Sequence, residues 1–212
     1  VEAWLPCLQR MGFHMELTLQ RAGFYPQGGG ELGTRIHPIP AIQPVRLETR
    51  GALQAVRVFS AHTNLKDEVA DRQARAAQRA LREAGLHPII ECTHLPSLSH
   101  NTVCAVTGIF EATRVCYTAL GERGKRAEQV AEEACTAFLA FLQTAATVDE
   151  YLADQLLLPL ALATGPSVFW TPRVTQHLLT NLATIQTFLP VTIGLTGTLG
   201  HPGRVEVIPA AA

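Results

Sequence analysis

The chain has 212 residues, 47% of them hydrophobic and 17% charged, and its 17 Lys and Arg stand against 18 Asp and Glu for a formal net charge of −1. Such a composition can bury a core and excludes wholesale disorder. It also excludes a general coat of basic charge for gripping duplex DNA, so any nucleic-acid contact must be a local site.

Residues 4–11 read as the end of a helix closed by Gly12, and residues 13–20 alternate as a strand. The turn Pro26-Gln27-Gly28-Gly29-Gly30 follows, and residues 31–38 return as the paired strand before Pro38, Pro40 and Pro44 punctuate the chain. From about residue 53 a compact unit begins. It has a strand at 55–61, then a helix at 66–84 with Val69, Ala76, Ala77, Ala80 and Ala84 on one side, and a strand at 87–93. A hairpin at 101–107 and 112–120 comes next, and then a helix at 127–144 in which Val130, Ala134, Phe138, Phe141 and Leu142 recur at helical spacing. Two helices and about four strands make an α+β subdomain.

Thr147-Val148-Asp149-Glu150 has the pattern of a capping box, which predicts a helix running through residues 151–158 until Pro159 bends or ends it. A strand near 167–170, a helix over 175–188 stopped by Pro190, and two short strands at 191–195 and 204–208 complete the chain. No internal repeat or low-complexity stretch is present.

Fifteen of the seventeen cations are arginine, the side chain suited to bidentate contacts with phosphate or carboxylate. The five cysteines (Cys7, Cys92, Cys104, Cys116 and Cys135) form no CxxC pair and mostly lie in apolar runs. They read as reduced core residues of a cytoplasmic protein. No uninterrupted apolar run is long enough to span a bilayer. Val1-Glu2-Ala3-Trp4 offers neither an initiator Met nor a basic signal-peptide start, and it reads as an internal beginning.

Two segments could carry chemistry. In the helix at 175–188, Leu178, Leu182, Ile185 and Leu189 form the buried face and His177, Asn181 and Thr184 share the other. His177 would sit in the first turn, where the helix dipole favours a neutral imidazole and free amides can bind anionic oxygens. That suits phosphoryl or nucleotidyl transfer through histidine, although an ordinary surface histidine at a helix start has the same spacing. In Tyr151-Leu152-Ala153-Asp154-Gln155, an aromatic, a carboxylate and an amide converge at i, i+3 and i+4. They could hold a nucleoside, or form a solvated helix edge.

Three other features are weaker. Gly28-Gly29-Gly30 lacks the Lys-[Ser/Thr] ending of a P-loop and fits a strand-joining turn. The stripe Arg72, Arg75, Arg79 and Arg82 could touch an RNA backbone, but Glu68, Asp71 and Glu83 interleave with it as on a solvated face. His94 and His100 have no third ligand at metal-binding spacing.

Four stretches, in order, resemble the RNA 3′-terminal phosphate cyclase family: Gly23-Phe24-Tyr25-Pro26-Gln27-Gly28-Gly29-Gly30, Gly121-Glu122-Arg123-Gly124-Lys125-Arg126-Ala127-Glu128, Val148-Asp149-Glu150-Tyr151-Leu152-Ala153-Asp154-Gln155-Leu156 and His177-Leu178-Leu179-Thr180-Asn181. The resemblance implies an α+β fold of repeated βαβαββ-type units, like that of the enolpyruvyl transferases, interrupted by a small inserted α+β domain. Residues 1–52 and 146–212 would then belong to the large domain and 53–145 to the insert. It implies that the chain corresponds to the C-terminal part of the family pattern, with the N-terminal segment absent. It further implies conversion of an RNA 3′-phosphate to a 2′,3′-cyclic phosphate with ATP and a divalent metal (Mg or Mn). His177 matches the adenylylated histidine of the family, and Tyr151, Leu152, Ala153, Asp154 and Gln155 match its adenosine-nucleotide segment; no metal ligand is assigned. The alternative is a non-catalytic RNA-binding or ribosome-assembly scaffold, against which the retention of His177 argues.

Overall fold

The computed structural model describes residues 2–210. Helix α1 (Trp4–Arg10) is followed by strands β1 (His14–Arg21) and β2 (Glu31–His37), which pair antiparallel with His14 opposite His37. The glycine-rich segment between them reverses the chain. At its base two backbones meet so closely that a Cβ on Gly23 would stand 2.5 Å from the amide nitrogen of Gly30, an approach only glycine permits. These glycines therefore build a hairpin.

The next six elements are β3 (Leu53–Thr63), α2 (Asp67–Glu83), β4 (Ile89–His94), β5 (Asn101–Phe110), β6 (Arg114–Leu120) and α3 (Ala127–Leu142). They form a mixed sheet of order β4-β3-β5-β6, in which β3 and β4 are parallel and the other pairs antiparallel. A parallel pair needs a crossover, and α2 supplies it. Val58, Val106, Val115 and Tyr117 pack with Leu81, Val130, Phe138 and Phe141 into one core. The buried face of α2 departs from its predicted one. Ala84 is exposed, whereas Gln73 is fully buried and its Nε2 donates to Ser60 Oγ at 2.9 Å and to the Val103 carbonyl at 2.7 Å. A polar residue satisfied inside the core is invisible to a reading based on apolar spacing.

The remaining elements are α4 (Glu150–Gln155), α5 (Leu157–Ala161), β7 (Ser167–Thr171), α6 (Gln176–Phe188), β8 (Val191–Thr196) and β9 (Gly203–Pro209). The three strands form an antiparallel sheet of order β7-β9-β8. A second core joins Leu156, Leu157, Leu160, Phe169, Leu178, Val205 and Val207 to Cys7, Leu8, Met11, Val45 and Leu47 from the start of the chain. The fold is thus α+β, with the two ends of the chain sharing one core and the segment between them holding another. Arg50 lies at the join. Its guanidinium donates to the carbonyls of Phe141, Leu142 and Ala146 at 3.3, 2.9 and 3.3 Å, covering acceptors at the end of α3, and it sits 5.1 and 5.0 Å from the ring centres of Phe110 and Phe141.

Two expectations near α4 are corrected. Thr147 does not cap the helix: its hydroxyl accepts from the Trp170 amide at 2.9 Å and is tied to the strand β7, while Asp149 takes the N-cap position. The helix also breaks at Leu156 rather than at Pro159, which lies inside α5. There it occupies the first turn, where a missing N–H sacrifices no helical hydrogen bond.

All five thiols are free. Cys7, Cys104 and Cys135 are buried, which pushes them up to about 11, 12 and 11 respectively, so these thiols stay protonated and inert. Cys92 is exposed, whereas half-buried Cys116 packs against the second core, so the core reading fails only at Cys92. Among the described residues no helix is long and apolar enough to cross a membrane.

Candidate functional site

Helix α6 is set on the second core through Leu178, fully buried, and through half-buried Leu182, Ile185 and Leu189. This places His177, the second helical residue, on the solvent side. Thr175 is the N-cap, its Oγ1 accepting from the Leu178 amide at 3.1 Å. The chain entering the helix is held as well, because the Val174 amide donates to the His201 carbonyl at 2.7 Å and the Gly200 amide to the Val174 carbonyl at 2.9 Å. An accessible imidazole therefore stands on a rigid helix start.

Helix α4 is fixed by a buried carboxylate. Asp149, 2% exposed, accepts from the amides of Tyr151 at 3.1 Å, Leu152 at 2.7 Å and, from β6, Cys116 at 3.3 Å. Burial pushes this carboxyl up to about 6 and outweighs the opposing effect of the three amide donors. Beside it, Glu150 accepts from the Tyr117 hydroxyl at 2.8 Å and pairs with Arg173 at 3.1 Å. Burial, and then that carboxylate, raise the Tyr117 phenol so that it remains a donor.

The structure brings some of the sequence-singled residues together and leaves others apart. Asn181 Nδ2 lies 3.4 Å from Asp154 Oδ2 and 3.5 Å from the Asp154 carbonyl, linking α6 to α4. His177 precedes Asn181 by one turn on the same helix, a rise of roughly 6 Å. A cavity of about 310 Å³ opens on the other side of that link, walled by Asp154, Leu158, Asn181, Thr184, Ile185, Phe188 and Leu189. His177, Tyr151 and Gln155 are exposed and lie outside its wall. Tyr151 is 58% exposed and meets the Tyr117 ring edge-on at 6.3 Å between centroids, so one of its faces is available for stacking. Leu152 and Ala153 are 3% and 0% exposed, which leaves their side chains to the core.

Sequence reasoning missed Asp149, Glu150, Tyr117 and Arg173. Asp149 had a legible signal, since aspartate is as good an N-cap as threonine; the others are joined only by the tertiary fold. The weaker candidates separate. Arg72 is held by Glu128 through two hydrogen bonds of 2.8 Å, as on a solvated face. The His94 ring packs 5.1 Å from that of His62, whereas His100 lines a different cavity.

A family model described as "RTC: RNA 3'-terminal phosphate cyclase" matches residues 1–195. A protein named RNA 3'-terminal phosphate cyclase from Methanopyrus kandleri is 38% identical over 209 residues, covering 95% of this chain and 59% of the relative. One of the same name from Methylococcus capsulatus is 40% identical over 198 residues, covering 88% and 52%. Another, from Pseudomonas aeruginosa, is 35% identical over 211 residues, covering 99% and 60%. The chain thus spans between 52% and 60% of the length of these relatives. The expectation that the likeness is only to a C-terminal part of the family pattern is overturned, because the match takes in residues 1–195 and up to 99% of the chain. The chain belongs to the RNA 3′-terminal phosphate cyclase family.

Proposed function

We propose that the protein converts an RNA 3′-terminal phosphate to a 2′,3′-cyclic phosphate at the expense of ATP, through a histidine-AMP intermediate. An imidazole nitrogen of His177 attacks the α-phosphorus, the bond to the β-phosphate oxygen breaks, and pyrophosphate leaves. A phosphate oxygen of the RNA end then attacks the same phosphorus and breaks the P–N bond, which gives an RNA-adenylate and restores the imidazole. The neighbouring 2′-hydroxyl closes on the terminal phosphorus and AMP departs. The observation that carries this reading is the accessible His177 in the first turn of a capped helix, where free amides favour an anionic phosphate.

Tyr151 to Gln155 is read as the nucleotide segment, with the Tyr151 ring stacking on adenine, Asp154 and Gln155 hydrogen-bonding, and buried Leu152 and Ala153 anchoring the turn to the core. The Asp154–Asn181 link supports this by holding the segment at a fixed distance from His177. Among the described residues no three His, Cys, Asp or Glu side chains converge to hold a metal, so no step here runs through the Mg or Mn ion that the family likeness implies. The division into 1–52 and 146–212 as large domain and 53–145 as insert is supported by the two separate cores, and β7, α6, β8 and β9 supply a βαββ portion of the proposed repeated unit. Reduced thiols and an RNA substrate suit a cytoplasmic protein.

Incubation with a 3′-phosphorylated oligoribonucleotide, ATP and a divalent cation should yield a phosphatase-resistant end that acid reopens. A product still open to phosphatase would remove the cyclase reading. Tyr151→Ala and Asp154→Ala should each cost about 1–3 kcal/mol in transition-state binding, read as lower kcat/KM for ATP in proteins with the wild-type melt. Wild-type rates in both would take this segment out of the site.

A further inference from the structure

Two of the family-like stretches, residues 23–30 and 121–128, have no part in the nucleotide chemistry above, yet they meet across one cavity of about 730 Å³, more than twice the size of the 310 Å³ one beside Asp154. Tyr25, at the tip of the β1–β2 hairpin, stands on its rim and is 95% exposed. The hairpin tip is anchored: the Ala22 amide donates to the Pro96 carbonyl at 2.8 Å, and Ser99 Oγ donates to the Phe24 carbonyl at 3.3 Å. The loop before α3 forms the facing wall, turned by Gly124 in the left-handed region at φ +87°.

This wall carries Arg123, Lys125 and Arg126, with Arg72 of α2 nearby and Glu122 as the one carboxylate of the lining. Arg72 is engaged by Glu128 and Lys125 by Glu133. Arg123 and Arg126 are exposed and form no ion pair among the described residues, although the charge of Arg126 is felt by Glu128. On a chain of net charge −1, free guanidinium groups concentrated opposite an exposed aromatic ring form a local site, not a general basic coat. Cations that follow a sugar-phosphate backbone, combined with a ring on which a base can stack, are what single-strand recognition requires.

We propose that this cavity binds the body of a single-stranded RNA, with phosphates on Arg123 and Arg126 and a base stacked on Tyr25. The site shares no lining residue with the cavity beside Asp154 and does not include His177, so the nucleotides it would hold are ones other than the reacting end. The proposal rests on the reading of the protein as one that acts on RNA, but it does not require adenylylation of His177.

The test is equilibrium binding, without ATP, of a fluorescent 3′-phosphorylated single-stranded oligoribonucleotide to the whole protein. The Arg123→Ala/Arg126→Ala double variant should bind about tenfold or more weakly, with its log–log salt slope reduced by about 1.4, roughly 0.7 for each phosphate no longer neutralised. Tyr25→Ala should lose about tenfold in affinity while Tyr25→Phe keeps it, because the ring and not the hydroxyl does the stacking. Arg79→Ala, which removes an exposed cation outside the cavity, should bind like wild type. In the unmodified protein, a 5-iodouridine oligonucleotide should photocrosslink to Tyr25, as read by mass spectrometry. Wild-type affinity and slope in the double variant and Tyr25→Ala, or adducts only elsewhere, would overturn the site. So would an absence of binding by the unmodified protein. Cyclic product formed with RNA affinity unchanged in these variants removes this cavity and leaves the enzyme standing; weakened binding with no cyclic product from wild type supports the cavity and removes the enzyme.

Discussion

Asp149→Ala should lower stability by about 3 kcal/mol, or roughly 6–12 °C in Tm for a chain of this size, as read by calorimetry. The carboxylate accepts three amides from two elements, Tyr151 and Leu152 in the first turn of α4 and Cys116 in β6. Alanine strips the helix of its cap and leaves buried donors without partners. Relief from burying a charge offsets part of that loss, which is why the sum falls below three full orphaned groups. Asp149→Asn keeps an acceptor oxygen at the cap and should cost less than half as much. A melt of Asp149→Ala within a degree of wild type would show that water or a shifted helix start replaces the cap without cost.

The same pair of proteins gives a pH signature. Burial raises the Asp149 carboxyl in the folded state from 3.8 to about 6, so between those values the folded chain binds more protons than the unfolded one. The contribution of this group to stability is therefore fullest below its unfolded value and is lost as pH rises through about 6, a change on the order of 3 kcal/mol across the window. Wild type should gain on Asp149→Asn as the pH falls from 7 to 4. A difference in Tm that stays constant, or moves the other way, would mean that the amide donors and not burial govern this carboxyl.

The elements were legible wherever one periodicity dominated. The two-residue alternation before the glycine-rich turn gave β1, the turn itself implied its returning partner β2, and the apolar spacing of Val130, Ala134, Phe138 and Phe141 gave α3 with its buried face. Reading failed where polar atoms were satisfied by distant partners. Gln73 lies in the core because Ser60 and Val103 meet its amide, and Thr147 is diverted from capping because a strand far along the chain offers the Trp170 backbone. At the candidate site, His177 and Asp154 stood out by residue type and spacing. Their bridging through Asn181, and the network of Asp149, Glu150, Tyr117 and Arg173, arise only when α4, α6 and β6 pack. Likewise, residues 23–30 and 121–128 share the family resemblance but lie far apart in the sequence, and only the fold brings Tyr25 and Arg123 to one cavity.

The largest effect on activity is expected from His177, since its imidazole is the proposed nucleophile that carries the covalent bond to phosphorus. The purified protein, incubated with α-labelled ATP and a divalent cation in the absence of RNA, should retain label in a bond that is labile to acid and stable to base, the behaviour of a phosphoramidate. Peptide mapping should place that label on His177, and His177→Ala should lose it by a factor on the order of 10³ or more while keeping the wild-type melt, because the residue is exposed and carries no packing. Label persisting undiminished in His177→Ala, or mapped to another residue, would contradict the assignment.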